Sequence, residues 1–108
     1  MNYAVIIQPR AEEDVQEIYY WLRKRSPLGA VRWYATLLST LLDLSKDAER
    51  FGQANEAKWL GRDVRECFFK TRQGRRYRLL FIIVDLEVLI LRVWRPGQRS
   101  IRRRDVDL

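Results

Sequence analysis

No histidine occurs among the 108 residues, and the only cysteine is Cys67. Without imidazole there is no Ser–His or Cys–His nucleophile pair, no imidazole acid or base and no His-bearing zinc site. One thiol forms neither a zinc cage nor an internal disulfide. No metal and no cofactor is therefore expected, and any enzyme built from this chain would have to work with arginine, lysine, tyrosine or carboxylates. Long apolar runs are also missing. The longest, residues 79–84 (LLFIIV), is far short of the ~20 residues of a membrane helix. Residues 3–7 (YAVII) are followed by proline and acids, unlike a secretory signal, so the expected setting is a reducing cytoplasm with no membrane contact. Repeats, low-complexity tracts and linkers are absent as well, and the length suits one domain spanning residues 1–108.

What is present is arginine, unevenly spread. Residues 1–61 carry eight basic and eight acidic side chains, whereas residues 62–108 carry 13 basic against six acidic and so hold the whole net charge of +7. Of those 13, only Lys70 is not arginine. Such an excess marks a surface for polyanions or for an acidic protein, because the guanidinium fork grips phosphate or carboxylate with two parallel bonds. A solvated basic face that only keeps the chain soluble is the plain alternative.

Residues 3–8 read as a short strand ended by Pro9. From there the period changes: Ala11, Val15, Ile18, Tyr19 and Leu22 lie on one face of a helix. Glu12, Glu13 and Asp14 in its first turn and Arg23, Lys24 and Arg25 in its last oppose the helix dipole at both ends. Ser26-Pro27 then supplies an N-cap and a first-turn proline for a second helix. Its apolar face runs through Ala30, Trp33/Tyr34, Leu37, Leu41 and Leu44, with Leu38 and Leu42 widening the stripe. The near absence of a connection predicts an antiparallel hairpin. Residues 46–63 are polar and read as a loop, after which 64–70, 75–84 and 87–95 form a three-stranded antiparallel meander. The expected fold is α+β, in the order β-α-α-β-β-β, an antiparallel sheet with the helical hairpin packed on one face. Residues 96–108 read as a basic tail, mobile at its end.

Strict alternation sorts the strand arginines. Arg76 and Arg78 share a face with Leu80 and Ile82, and Arg92 shares one with Val88, Ile90 and Trp94. If the helices cover the opposite face of Leu89, Leu91 and Val93, then Arg92 and Arg78 lie on an open face with Arg65 or Lys70 beside them and Arg99 just past the sheet. Arg76 and Arg95 extend this target- or nucleic-acid-binding set. Each residue also has a plain reading: Arg78 and Arg92 snorkel or pair with a carboxylate such as Glu66, Trp94 is core, Cys67 is an inert small hydrophobe, and Arg102 to Arg104 are a loose tail.

Five segments in register, residues 9–18 (PRAEEDVQEI), 26–34 (SPLGAVRWY), 60–66 (LGRDVRE), 77–81 (YRLLF) and 89–95 (LILRVWR), resemble the RelE/ParE superfamily, toxins of bacterial type II toxin–antitoxin modules. The resemblance spans residues 3 to about 99 and implies the fold derived above, together with a cognate antitoxin as partner. RelE-like members cut mRNA on the ribosome; by resemblance Arg78, Arg99 and Lys70 would be the catalytic set, although the C-terminal tyrosine used by several members has no counterpart here. ParE-like members instead poison DNA gyrase without such a set. The long hairpin, with Ser-Pro opening its second helix, is similar to the ParE branch, while that branch's His-Gly-Arg segment is replaced by residues 95–99 (RPGQR). The expected function is therefore a ParE-like toxin acting on gyrase, with a ribosome-dependent nuclease or an inactive partner-binding relative as alternatives.

Overall fold

The computed structural model describes residues 2–108. A short strand, β1 (Ala4–Ile7), leads directly into helix α1 (Pro9–Arg25), and α2 (Pro27–Asp47) follows after a single residue. That residue, Ser26, ends one helix and caps the next: its hydroxyl accepts the Gly29 N–H at 3.0 Å. A 3-10 turn (Ala48–Arg50) and a one-turn helix, α3 (Ala57–Leu60), then precede β2 (Arg65–Phe69), β3 (Tyr77–Val84) and β4 (Glu87–Trp94). A last 3-10 turn covers Arg103–Asp105. Asp85, at φ 55°, makes the two-residue turn between β3 and β4.

The sheet order is β1-β4-β3-β2. β2, β3 and β4 form the expected antiparallel meander, but β1 pairs with β4 in parallel, so the sheet is mixed. The cause is the hairpin: α2 ends beside the start of β1, where the Tyr3 N–H donates to the Ser45 carbonyl, so β2 sets out from the same end of the sheet as β1 and β4, two antiparallel steps later, runs parallel to it. β1 reaches only as far as Ile90, so the rest of β4 is an edge.

Both faces of the sheet are covered. On one side the predicted α1 face, Ala11, Val15, Ile18, Tyr19 and Leu22, packs with Trp33, Leu37 and Leu44 of α2 against Leu79, Phe81, Val88, Ile90 and Val93. Leu38 and Leu42 do not widen this stripe; they stand 45% and 61% exposed, because Trp33, Leu37 and Leu44 already fill the sector of α2 that meets the sheet. On the other side a second core joins Ala54, Ala57, Leu60 and Val64 to Leu80, Ile82, Leu91, Trp94, Ile101 and Val106. The face expected to be open is thus closed by two segments that carry no regular period.

The helices also do not cover the Leu89/Leu91/Val93 face as a unit. The register steps from Leu80↔Arg92 to Phe81↔Ile90, leaving Leu91 as an extra residue in β4. This bulge turns the strand over. Val88, Ile90 and Val93 face the helices, while Leu89 and Leu91 face the second core.

The tail of residues 96–108, expected to be mobile at its end, is anchored there by several contacts. Ile101 and Val106 are 2% and 7% exposed, each worth about 1.5–3 kcal/mol of apolar burial. Arg10 donates to the Arg104 carbonyl and Arg103 to the Trp59 carbonyl, both at 2.7 Å. No helix among the described residues is long and apolar enough to cross a membrane.

Candidate binding surface

The arginines singled out from the sequence divide into two sets. In the first, each guanidinium meets a carboxylate. Arg78, on β3, donates through Nη1 to Glu56 Oε2 at 2.7 Å and through Nη2 to Glu56 Oε1, while its Nε reaches Glu66 Oε1 at 2.8 Å. Glu56 stands at the entrance of α3 and is 6% exposed. Arg92 grips Asp14 of α1 with Nε and Nη2, both at 2.8 Å, and its Nη1 donates to the Asp105 carbonyl. Asp14 also accepts the Val93 N–H at 2.9 Å. It thereby satisfies the edge of β4 that β1 is too short to reach. Arg99 makes two 2.7 Å bonds to Asp105, whose Oδ2 also accepts the Arg102 N–H. Arg65 pairs with Asp63 and donates to the carbonyls of Glu49 and Phe51.

Electrostatics follow this pairing. The bonds from Arg78 hold the Glu56 carboxyl below the usual carboxylate range against the opposing effect of burial, and Arg99 does the same for Asp105 more strongly. A carboxyl whose folded-state pKa is depressed contributes stability above its unfolded value and loses it as pH falls through the folded value. Stability is therefore expected to stay level from pH 8 to about pH 5 on account of these two groups and to fall below about pH 4. Urea midpoints at several pH values measure this, and a rise in stability on acidification to pH 3 would contradict it. Cys67 is 3% exposed, and burial pushes its thiol up to about 11.

The second set has no carboxylate partner. Arg76 lies over the Phe68 ring at 4.1 Å, and Arg76, Arg95 and Lys70 are exposed and form no ion pair among the described residues. Arg76 and Arg95 meet Phe68, Arg75, Arg78, Trp94 and Pro96 around a shallow cleft of about 500 Å³. Trp94 is 5% exposed, its indole N–H donates to the Arg99 carbonyl, and Arg92 and Arg99 lie 5.0 and 5.6 Å from its ring centroid. It is core, with no face free for stacking. Arg92 is therefore not part of an open patch, and Arg99, although exposed, has its fork occupied by Asp105.

A larger cleft of about 900 Å³ adjoins Arg75 and Arg95 on their other side, lined also by Arg32 and Arg72. Arg32, Arg72 and Arg75 were not singled out from the sequence. Arg32 sits on a helix and Arg72 in a turn, and only the folded chain brings them together. The signal available was the run Arg72, Arg75 and Arg76 around the strand connection.

Residues 5–99 match the family described as ParE toxin of type II toxin-antitoxin system, parDE. The chain belongs to this family. Membership implies a cognate antitoxin as its partner. A solved structure with the same fold is that of the E. coli toxin RelE, a double arginine-to-alanine mutant in the free state, at a TM-score of 0.56 and 17% identity, covering 90% of this chain and 86% of that one. No curated protein matches the chain. Residues 100–108, which carry Ile101, Asp105 and Val106, lie beyond the family match.

Proposed function

We propose that this toxin inhibits DNA gyrase by binding to it, without chemistry of its own, and that its antitoxin relieves the inhibition. The observation that carries this reading is the pairing of Arg78 with Glu56 and Glu66. Cleavage of RNA without imidazole needs guanidinium groups aimed at the charge that develops on phosphorus. Arg78 is neutralised by two carboxylates, and turning it toward a phosphate would strand Glu56, which is 6% exposed. Arg99 is held by Asp105 in the same way, which leaves Lys70 as the one unpaired member of the catalytic set that a ribosome-dependent nuclease would use. A binding surface needs no such set, and the unpaired Arg76 and Arg95 remain available to it.

The test is a supercoiling assay with purified gyrase and the purified chain, run beside primer extension on mRNA in a reconstituted translation reaction. Loss of supercoiling in proportion to toxin, with intact message, is the expected result. Defined cuts within ribosome-bound codons, with gyrase unaffected, would replace this reading by the nuclease one.

A further inference from the structure

The 900 Å³ cleft lies where three turns meet: the α1–α2 junction, the β2–β3 connection and the turn that follows β4. Its walls are ordered. The Gly74 N–H donates to the Thr71 carbonyl at 3.1 Å, and the Gln98 N–H to the Arg95 carbonyl at 3.2 Å, while the Gln98 side chain accepts the Arg95 N–H at 3.0 Å. Gly97, at φ +76°, gives the last turn its left-handed residue, and the Arg75 guanidinium reaches from the second wall toward it. Arg32, Arg72, Arg75 and Arg95 line the cleft, all exposed, and none is in an ion pair among the described residues. No aspartate or glutamate lines the cleft. Four uncompensated guanidiniums around one concavity call for an anionic partner.

The lower part of the cleft is apolar. Trp33 and Tyr77, 2% and 7% exposed, pack with ring centroids 5.4 Å apart, and Leu28 and Trp21 flank them at 58% and 46% exposure. A concave site with an apolar floor and a few charged groups at its rim suits a side chain anchored inside and charges held outside. A nucleic-acid strand would instead need a stripe of phosphate contacts and aromatic faces free for bases. Here the two floor rings are buried, and Arg25 lies over the ring of the exposed Trp21 at 3.7 Å.

We infer that this cleft is a receptor for an acidic polypeptide segment carrying one apolar anchor, contributed by the protein that the toxin inhibits. Its carboxylates would take the forks of Arg32, Arg72, Arg75 and Arg95, and its anchor would rest above Trp33 between Leu28 and Trp21. The inference rests on the binding mode proposed above and names the surface that carries it.

The test is fluorescence anisotropy of the full chain with a labelled Asp-Glu-Leu-Glu-Asp peptide, its Asn-Gln-Leu-Gln-Asn counterpart and a twelve-nucleotide oligothymidylate. The same preparations go into the gyrase supercoiling assay. The acidic peptide is expected to bind at least tenfold more tightly than the amide peptide, and Arg72→Glu/Arg75→Glu is expected to lose tenfold or more in both peptide affinity and gyrase inhibition. Arg32→Gln, on an exposed helix position, serves if the turn variant fails to fold, and a thermal melt checks both. Equal binding of the two peptides, or tighter binding of the oligonucleotide, overturns the inference. Inhibition retained by a variant that no longer takes the peptide overturns the assignment to the inhibited protein and gives the cleft to the antitoxin. If the wild-type chain leaves gyrase active, the gyrase reading fails on its own, and the peptide titrations still decide what the cleft accepts.

Discussion

Replacing Asp14 by alanine is expected to lower the unfolding free energy by about 3–5 kcal/mol, the usual cost of breaking a buried ion pair from one side. Asp14 and Arg92 keep only 11% and 12% of their side-chain surface, so the arginine left behind is a desolvated charge that has lost its carboxylate and keeps only the Asp105 carbonyl. The Val93 N–H on the edge of β4 loses its acceptor at the same time, and an unsatisfied buried donor costs about 1–3 kcal/mol. Urea unfolding should show a lower midpoint with an unchanged slope, since the same surface is exposed. In the double variant Asp14→Ala/Arg92→Met the unpaired charge is gone, so much of the loss should return. What does not return measures the open strand edge. A loss under about 1 kcal/mol in the single variant would place this pair among exposed surface bridges and remove its role as the clamp between α1 and the sheet.

The helices were legible because each carries several agreeing signals. The face of Ala11, Val15, Ile18, Tyr19 and Leu22, the charges at both ends of α1 and the Ser26 cap all point to the same two boundaries, and the structure places all five of these side chains in the helix-side core or packed against it. The order of the strands was legible for the same kind of reason. The parallel partner of β1 was not, because short apolar strands look alike in either direction and the choice is made by where the hairpin returns the chain. Leu38 and Leu42 misled because hydropathy does not tell a core leucine from one on the outer side of the same helix.

At the surface the misreading has a single origin. Alternation through residues 88–94 assigns Val93 to one face and Arg92 to the other without a break, and it takes the extra residue Leu91 to bring Val88, Ile90 and Val93 onto the same side. Nothing local announces a bulge in a run of large aliphatic residues. The carboxylates that neutralise the arginines are equally invisible along the chain: Asp14 and Arg92 are 78 positions apart, and Glu56 and Arg78 are 22 apart. One partner was within reach of sequence reasoning, Glu66 for Arg78, because both lie on predicted neighbouring strands. The free arginines follow the opposite rule. Arg72, Arg75, Arg76 and Arg95 sit in or beside turns, where no element packs a carboxylate against them. Position in the fold thus divides one arginine-rich half of the chain into guanidiniums that hold the sheet together and guanidiniums left for a partner.

Replacing Arg78 by methionine separates those two uses and has an expected pH signature. At pH 7 the variant should lose about 3–5 kcal/mol, since Glu56 remains buried without its counter-charge. In the wild-type chain Arg78 holds the Glu56 carboxyl below its ordinary value, so this group supports the fold above about pH 4. In the variant burial outweighs the one opposing effect that remains, the backbone hydrogen bond at Glu56, and it raises the carboxyl. A group whose folded-state pKa lies above the unfolded one is a penalty at high pH that is relieved as protons are taken up. The gap between wild type and variant should therefore narrow as pH falls from 8 toward 4. Unfolding midpoints at pH 8, 6.5 and 5 read this directly, and a gap that is constant or widens would mean that Glu56 is not the group stranded. The same protein, assayed at a temperature where its melt shows it folded, should still inhibit gyrase, because Arg78 acts on Glu56 and Glu66 and not on the target. A catalytic arginine behaves otherwise: losing one donor to the developing charge lowers cleavage about 100- to 1000-fold. Inhibition that falls by such a factor in a folded Arg78→Met variant would move Arg78 from the scaffold into the working surface and reopen the nuclease reading.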